Sequence, residues 1–159
     1  MQFEIEKSES SIIKEFGVGG GGSNAVNHMY KAGIKGVDFF ICNTDEQSLE
    51  ISPVPNKIQL GLNLTGGRGA GSIAEVGKNA AHENNDEIKE ILEKDTKMLF
   101  ITAGMGGGTG TGAAPIIAKI AKELGILTVA IVTYPFGFEG RKRSSQADSG
   151  LEELRDSVD

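Results

Sequence analysis

Met98-Leu-Phe-Ile-Thr-Ala-Gly-Met-Gly-Gly-Gly-Thr-Gly-Thr-Gly112 is the stretch whose reading decides the fold. Its apolar first half reads as a buried strand, and its second half, Gly104 to Gly112, as a glycine-rich loop. An apolar stretch of helical character runs on from Ala113 to Leu124. Strand, glycine loop and helix, in that order, is how an α/β protein turns backbone N–H groups toward a phosphate. Glycine has no Cβ, so the chain bends sharply there and an anion can approach closely, above all at Gly107 and Gly108. The loop holds no lysine, so it is not a Walker loop. A second element of the same kind stands at Gly17-Val-Gly-Gly-Gly-Gly-Ser-Asn24. Two phosphate-type loops imply one nucleotide held between them.

Working outward, Ile12 to Phe16 reads as the strand before the first loop, and Asn24 to Ala32 as the helix after it, with Gly33 past its end as a C-cap. Val37 to Cys42 is a second buried strand, and Thr44 or Asp45 caps a short helix. Lys57 to Leu60 is a candidate edge strand. Helical sequence from Ile73 to Leu92 breaks near Asn84-Asn85. Pro115 falls in the first turn of its helix if that helix starts near Gly112. Leu127 to Tyr134 is another apolar strand, and Ala147, Leu151, Leu154 and Val158 keep a helical period. This alternation predicts an α/β fold with a three-layer, doubly wound, mostly parallel sheet. In the doubly wound order the first and fourth strands are neighbours, and ligands bind in the crevice at their carboxyl ends. Both phosphate loops follow those two strands.

Composition narrows the classes. The chain has 159 residues and a net charge of −6, which argues against general nucleic-acid binding. No basic leader precedes an apolar segment, and no apolar run reaches membrane-spanning length, so no direct membrane insertion is expected. A single cysteine, Cys42, excludes an internal disulfide and points to the cytoplasm. The segment 1–11 is polar and reads as a flexible arm. His28 and His82 lack partners at ligand spacing, and no metal site or Ser-His-Asp arrangement is suggested.

The spacing Gly17-x-Gly19-x-x-Gly22 also fits a dinucleotide fingerprint, but any glycine run satisfies it, and only this one loop supports a nicotinamide-dependent oxidoreductase. A third glycine-rich loop, Thr65 to Gly71, reads either as a lid closing on a terminal phosphate through the Ala70 and Gly71 N–H groups or as a connector. Glu139 and Arg143 follow the fifth strand at the same edge. They suit a ribose hydroxyl and a phosphate, while Arg141-Lys-Arg143 reads equally as a solvated helix start. Asn24 and Asn43 are either base or sugar contacts or caps.

The segments Gly17 to Met29, Asn43-Thr-Asp45, Phe100 to Pro115 and Pro135 to Arg143 closely resemble the FtsZ branch of the tubulin/FtsZ family, the Gly-Thr loop being its signature. The resemblance runs from about Ile12 to Asp159 and implies a Rossmann-like GTP-binding domain. By position, Gly20, Gly21, Gly22, Ser23, Asn24, Gly108, Thr109, Gly110, Glu139 and Arg143 match GTP-binding residues of the family. Gly104, Gly107 and Asn43 join them from the loop readings, and Ala70 and Gly71 match its γ-phosphate-facing loop. Arg68 stands where the family usually has leucine and Ala74 where it usually has proline, which puts that loop's stiffness in question. The resemblance further implies GTP or GDP as ligand and Mg²⁺ held through the phosphates. It implies a GTPase that assembles head to tail into the cytoplasmic division ring, where tethers and regulators bind it. The family's central helix and catalytic loop would lie beyond Asp159, so residues 12–159 are expected to hold nucleotide and to supply no catalytic group. A non-enzymatic nucleotide-binding or filament-capping module is the operational alternative.

Overall fold

In a computed structural model that describes residues 11–159, the apolar runs become strands β1 (Ile13–Val18), β2 (Asp38–Asn43), β3 (Asn56–Gln59), β4 (Met98–Gly104) and β5 (Leu127–Thr133). They form one sheet in the order β3-β2-β1-β4-β5, every neighbouring pair parallel. The arm read over residues 1–11 lies outside the described residues except for Ser11, whose N–H donates to Asp38 Oδ2 at 3.1 Å.

The helices are α1 (Gly19–Lys31), α2 (Glu46–Glu50), α3 (Leu62–Thr65), α4 (Ala74–Glu83), α5 (Asn85–Glu93), α6 (Thr109–Glu123) and α7 (Arg141–Arg155). Local chemistry explains their limits. The Asp45 carboxylate caps α2 by accepting from Gln47 N–H at 3.0 Å. Gly33, at φ +73°, ends the α1 segment in the left-handed conformation that glycine adopts without strain. The helical stretch breaks at Asn84, as its sequence predicts.

Two apolar layers sandwich the sheet. On one face Phe16, Val18, Leu99 and Ile101 pack with Ile88, Leu92 and Ile117. On the other, Val26, Phe39, Ile41, Leu49 and Val54 form a smaller core around α1. Residues along β2 alternate between the two layers, as both-face burial requires. Leu127 and Ile131 of β5 remain 50% and 58% exposed.

Two helix starts differ from the sequence expectation. Helix α1 begins at Gly19 and α6 at Thr109, so the second half of each glycine run is helix. Glycine is a poor helix former, which makes such turns look like loops. Here the close approach of neighbouring backbone demands it. A Cβ at Gly22 would lie 2.1 Å from the Thr102 carbonyl oxygen, and one at Gly112 would lie 2.0 Å from that of Ala74. With α6 starting at Thr109, Pro115 sits in the helix interior, and its missing N–H leaves the Thr111 carbonyl without the usual donor four residues on.

Strand β1 buries two charged side chains. The Lys14 ammonium donates to the Lys94 carbonyl and to Thr96 Oγ1, both at 2.7 Å. On the opposite, α1 side, Glu15 Oε1 accepts from Thr102 Oγ1 at 2.5 Å. Burial raises the Glu15 carboxyl pKa above its ordinary 4.5, and the Thr102 hydroxyl only partly opposes this. The folded state therefore holds this proton more tightly than the unfolded chain. The cost of ionising Glu15 is absent below the ordinary value and grows as pH rises through the folded one.

Two predictions follow from this packing. Glu15→Gln should raise the melting temperature near pH 8, with the advantage vanishing near pH 4, in melts recorded across that range. A variant less stable than the parent near pH 8 would contradict the assignment. Gly112→Ala should destabilise the fold by about 3 kcal/mol, because helix backbone has nowhere to move. Gly20→Ala, with nothing within 4 Å of its new Cβ, should be neutral or gain a few tenths of a kcal/mol. Urea unfolding of both variants checks the contrast.

Candidate nucleotide site

The N-termini of α1 and α6 meet over the carboxyl ends of β1 and β4, which are adjacent at the point where the winding reverses. A crevice of about 500 Å³ opens there. Its floor is the backbone of Gly19, Gly20 and Gly21 on one side and Gly107, Gly108, Thr109 and Gly110 on the other. The first N–H groups of a helix have no carbonyl in their own helix to donate to, so both walls offer donors and the positive end of a dipole.

The far wall comes from the segment after β5. Tyr134, Pro135 and Phe136 line it, and Glu139 and Arg143 close its rim. Arg143 Nε lies 3.5 Å from Glu139 Oε1, and Glu139 Oε2 accepts from Phe136 N–H at 2.6 Å. The Arg143 guanidinium also reaches to 4.0 Å from where a Cβ on Gly107 would stand, so it spans the rim and the second glycine loop. Arg141 does not line the crevice.

Of the residues singled out from sequence, the structure gathers Gly20, Gly21, Gly104, Gly107, Gly108, Thr109, Gly110, Glu139 and Arg143 around one crevice. It places the others elsewhere. Gly22 is pressed against the Thr102 carbonyl. Ser23 is buried with its hydroxyl unpaired. Asn24 is exposed one turn along α1. Asn43 is buried, and its Oδ1 accepts from Asp45 N–H at 3.2 Å.

Ala70 and Gly71 belong to the loop 65–73, outside the crevice wall but seated on it. A Cβ at Gly108 would be 2.7 Å from Ala70 Cβ and 2.9 Å from Ile73 N. The bareness of Gly108 therefore serves loop packing, whereas Gly20 has open space beside it and Gly107 faces only the end of the Arg143 side chain. The loop is further fixed by Glu46 N–H to Gly67 O at 3.0 Å and Gly69 N–H to Thr44 O at 3.2 Å. Beneath it the Thr44 and Thr109 hydroxyls bond at 2.7 Å.

Sequence reasoning missed Tyr134 and Phe136. Their position directly after an apolar strand, at the carboxyl edge, was the available signal. It also missed Gln146, whose partners lie far away in sequence.

Comparison with known proteins agrees with this geometry. The GTPase domain of the Tubulin/FtsZ family matches residues 12–159. The cell division protein FtsZ of Aquifex aeolicus (strain VF5) is 61% identical over 147 residues, covering 92% of this chain and 40% of the relative. That of Pseudomonas putida (strain KT2440) is 58% identical over 151 residues, covering 95% and 38%. The chain thus spans about two fifths of the length of these curated relatives. An empty FtsZ dimer from M. jannaschii superposes with a TM-score of 0.90 at 43% identity, over 97% of this chain and 44% of that one. Sequence signature, sheet order and the glycine-walled crevice converge, and the chain belongs to the tubulin/FtsZ family.

Proposed function

We propose that this chain is the nucleotide-holding part of an FtsZ-like cell-division GTPase, and that its crevice binds GTP and GDP. The observation that carries the reading is the meeting, over adjacent strands, of two helices that open out of glycine runs, with one arginine beside the second. An anion in that crevice faces two sets of free N–H groups, two helix dipoles and a guanidinium.

The residues present fit a nucleoside triphosphate. Gly20, Gly21, Gly104 and Gly107 to Gly110 would hold the phosphates. Glu139 would rim the ribose, and the exposed Tyr134 and Phe136 rings offer an apolar wall to sugar or base. Ala70 and Gly71 would close on the terminal phosphate. Gly22, Ser23, Asn24 and Asn43 act on this reading by shaping the backbone that carries the donors. Mg²⁺ would be held through the phosphates, offsetting their charge during phosphoryl transfer.

In the whole protein, subunits would add head to tail, and hydrolysis would need a catalytic loop from the neighbouring subunit. This chain contributes the nucleotide face and no catalytic residue. Its setting would be the cytoplasmic division ring, with the ring's tethers and regulators as further partners.

Titration with labelled GTP tests the site. Gly107→Val should lower affinity at least about tenfold with an unchanged circular dichroism spectrum, because the new side chain projects into the crevice beside the flexible end of Arg143 rather than into packed core. Normal binding by the folded variant contradicts the site. Arg143→Ala should cost about 1.5–3 kcal/mol of binding and Arg141→Ala a fraction of that, since only the former removes a charge-assisted contact. Equal losses would remove Arg143 from the site. Phosphate release by the purified chain should be negligible, and turnover at a rate per molecule independent of concentration would show a self-contained active site instead.

A further inference from the structure

The Gln146 side chain joins three segments that are remote in sequence. Its Oε1 accepts from Ala74 N–H at 2.9 Å. Its Nε2 donates to the Ser72 carbonyl at 3.0 Å and to the Gly106 carbonyl at 3.2 Å. Ala74 N–H can only donate and the two carbonyls can only accept, so these partners themselves determine which way the amide faces. One side chain thus ties the end of the loop 65–73, the first residue of α4 and the second glycine loop to α7, one turn beyond Arg143.

The loop has need of such a tie. Gly66, Gly67, Gly69 and Gly71 all have positive φ, and Ser72, at φ +61°, sits in the left-handed region without being glycine. A strained residue of this kind persists only where its surroundings hold it. Bonds to Thr44 and Glu46 fasten the front of the loop. At its rear, Gln146 bonds to the strained Ser72 itself and to Ala74. The residue at 74 matters for the same reason. Proline at this position would stiffen the first turn of α4 but has no N–H. Alanine gives up that stiffness and supplies the N–H that Gln146 accepts.

We propose that Gln146 is a positioning residue that holds the loop 65–73 against the second glycine loop and so sets the preference for a terminal phosphate. The first half of this stands on the hydrogen bonds alone, and the second rests on the nucleotide reading above. Gln146 touches no ligand itself. It fixes the distance between the Ala70–Gly71 amides and the crevice, which is where a triphosphate and a diphosphate differ.

Four proteins test it: the parent, Gln146→Leu, Gln146→Leu with Ala74→Pro, and Gln146→Glu, which keeps the acceptor and loses both amide donors. The readouts are amide hydrogen exchange without nucleotide and the ratio of GTP to GDP affinity. Gln146→Leu should speed exchange across 66–74 about tenfold, leave β1 and β4 unchanged, and lower the GTP-to-GDP preference about fivefold. Adding Ala74→Pro should restore part of both, since Ile73 is extended at ψ 113° and position 74 opens a helix, where proline is tolerated. Gln146→Glu should fall between the parent and Gln146→Leu, and it carries the test if Gln146→Leu does not fold. Unchanged exchange and preference in Gln146→Leu overturn the proposal, as does a double variant with no recovery. If the parent binds neither nucleotide, the nucleotide reading fails, while the exchange data still decide whether Gln146 holds the loop.

Discussion

Backbone resting directly on backbone at the top of β1 and β4 is the constraint on which the rest of this structure depends. A Cβ on Gly17 would meet the Gly22 carbonyl oxygen at 2.5 Å, and one on Gly110 would meet the Gly104 carbonyl oxygen at 2.7 Å. At these points of contact no side chain fits between helix and strand. The two helix N-termini are consequently drawn down onto adjacent strand ends, and their unpaired amides share one crevice. Had either helix stood off by the width of a methyl group, the two sets of donors would not converge on a single anion. The same principle extends to α4, whose backbone lies against Gly112 of α6 and whose Gly77 approaches the Gly108 carbonyl. The loop 65–73 leads into α4, so its placement inherits this contact.

The adjacency of the first and fourth strands and the position of the crevice were legible from the alternation of apolar runs with glycine loops. That legibility has a physical cause: a parallel sheet covered on both faces forces continuous apolar strands, and the winding rule then leaves one reversal point. A cap at Thr44 or Asp45, of which the structure uses Asp45, the break near Asn84 and Gly33 at a helix end were legible because each depends on a few neighbouring residues. The helix starts at Gly19 and Thr109 were not. Local preference argues against helical glycine, and the clash that overrides it involves residues such as Thr102 and Ala74, far away in sequence. The same holds for Glu15, which looks like a surface charge in a short strand and is in fact 3% exposed beside Thr102.

The candidate site divides along the same line. Gly20, Gly107 and Gly110, which line the crevice with bare backbone, lie in the glycine runs and the family resemblance that the sequence displays. Gly22 lies in the same glycine run but is taken up by a helix–strand contact, and Asn43, read from its strand end as a contact or a cap, accepts from Asp45 N–H in a turn. Gln146 carried no signal, because a polar residue on a helix reads as solvent-facing until its distant partners are placed. Loop 65–73 couples these groups, meeting the glycine loop 104–112 through Ala70 and Gly108 and α7 through the Ser72 carbonyl and Gln146.

The central claim is that one anionic nucleotide sits between the two helix N-termini. The most direct measurement is a two-dimensional amide NMR titration of the isotopically labelled chain with a non-hydrolysable GTP analogue and Mg²⁺. The account predicts that the largest shifts fall on the amides of Gly20, Gly21 and Gly107 to Gly110 and on Arg143 Nε–H, moving together with one dissociation constant. Shifts confined to one glycine loop, or centred on the outer faces of α4 and α7, would contradict it.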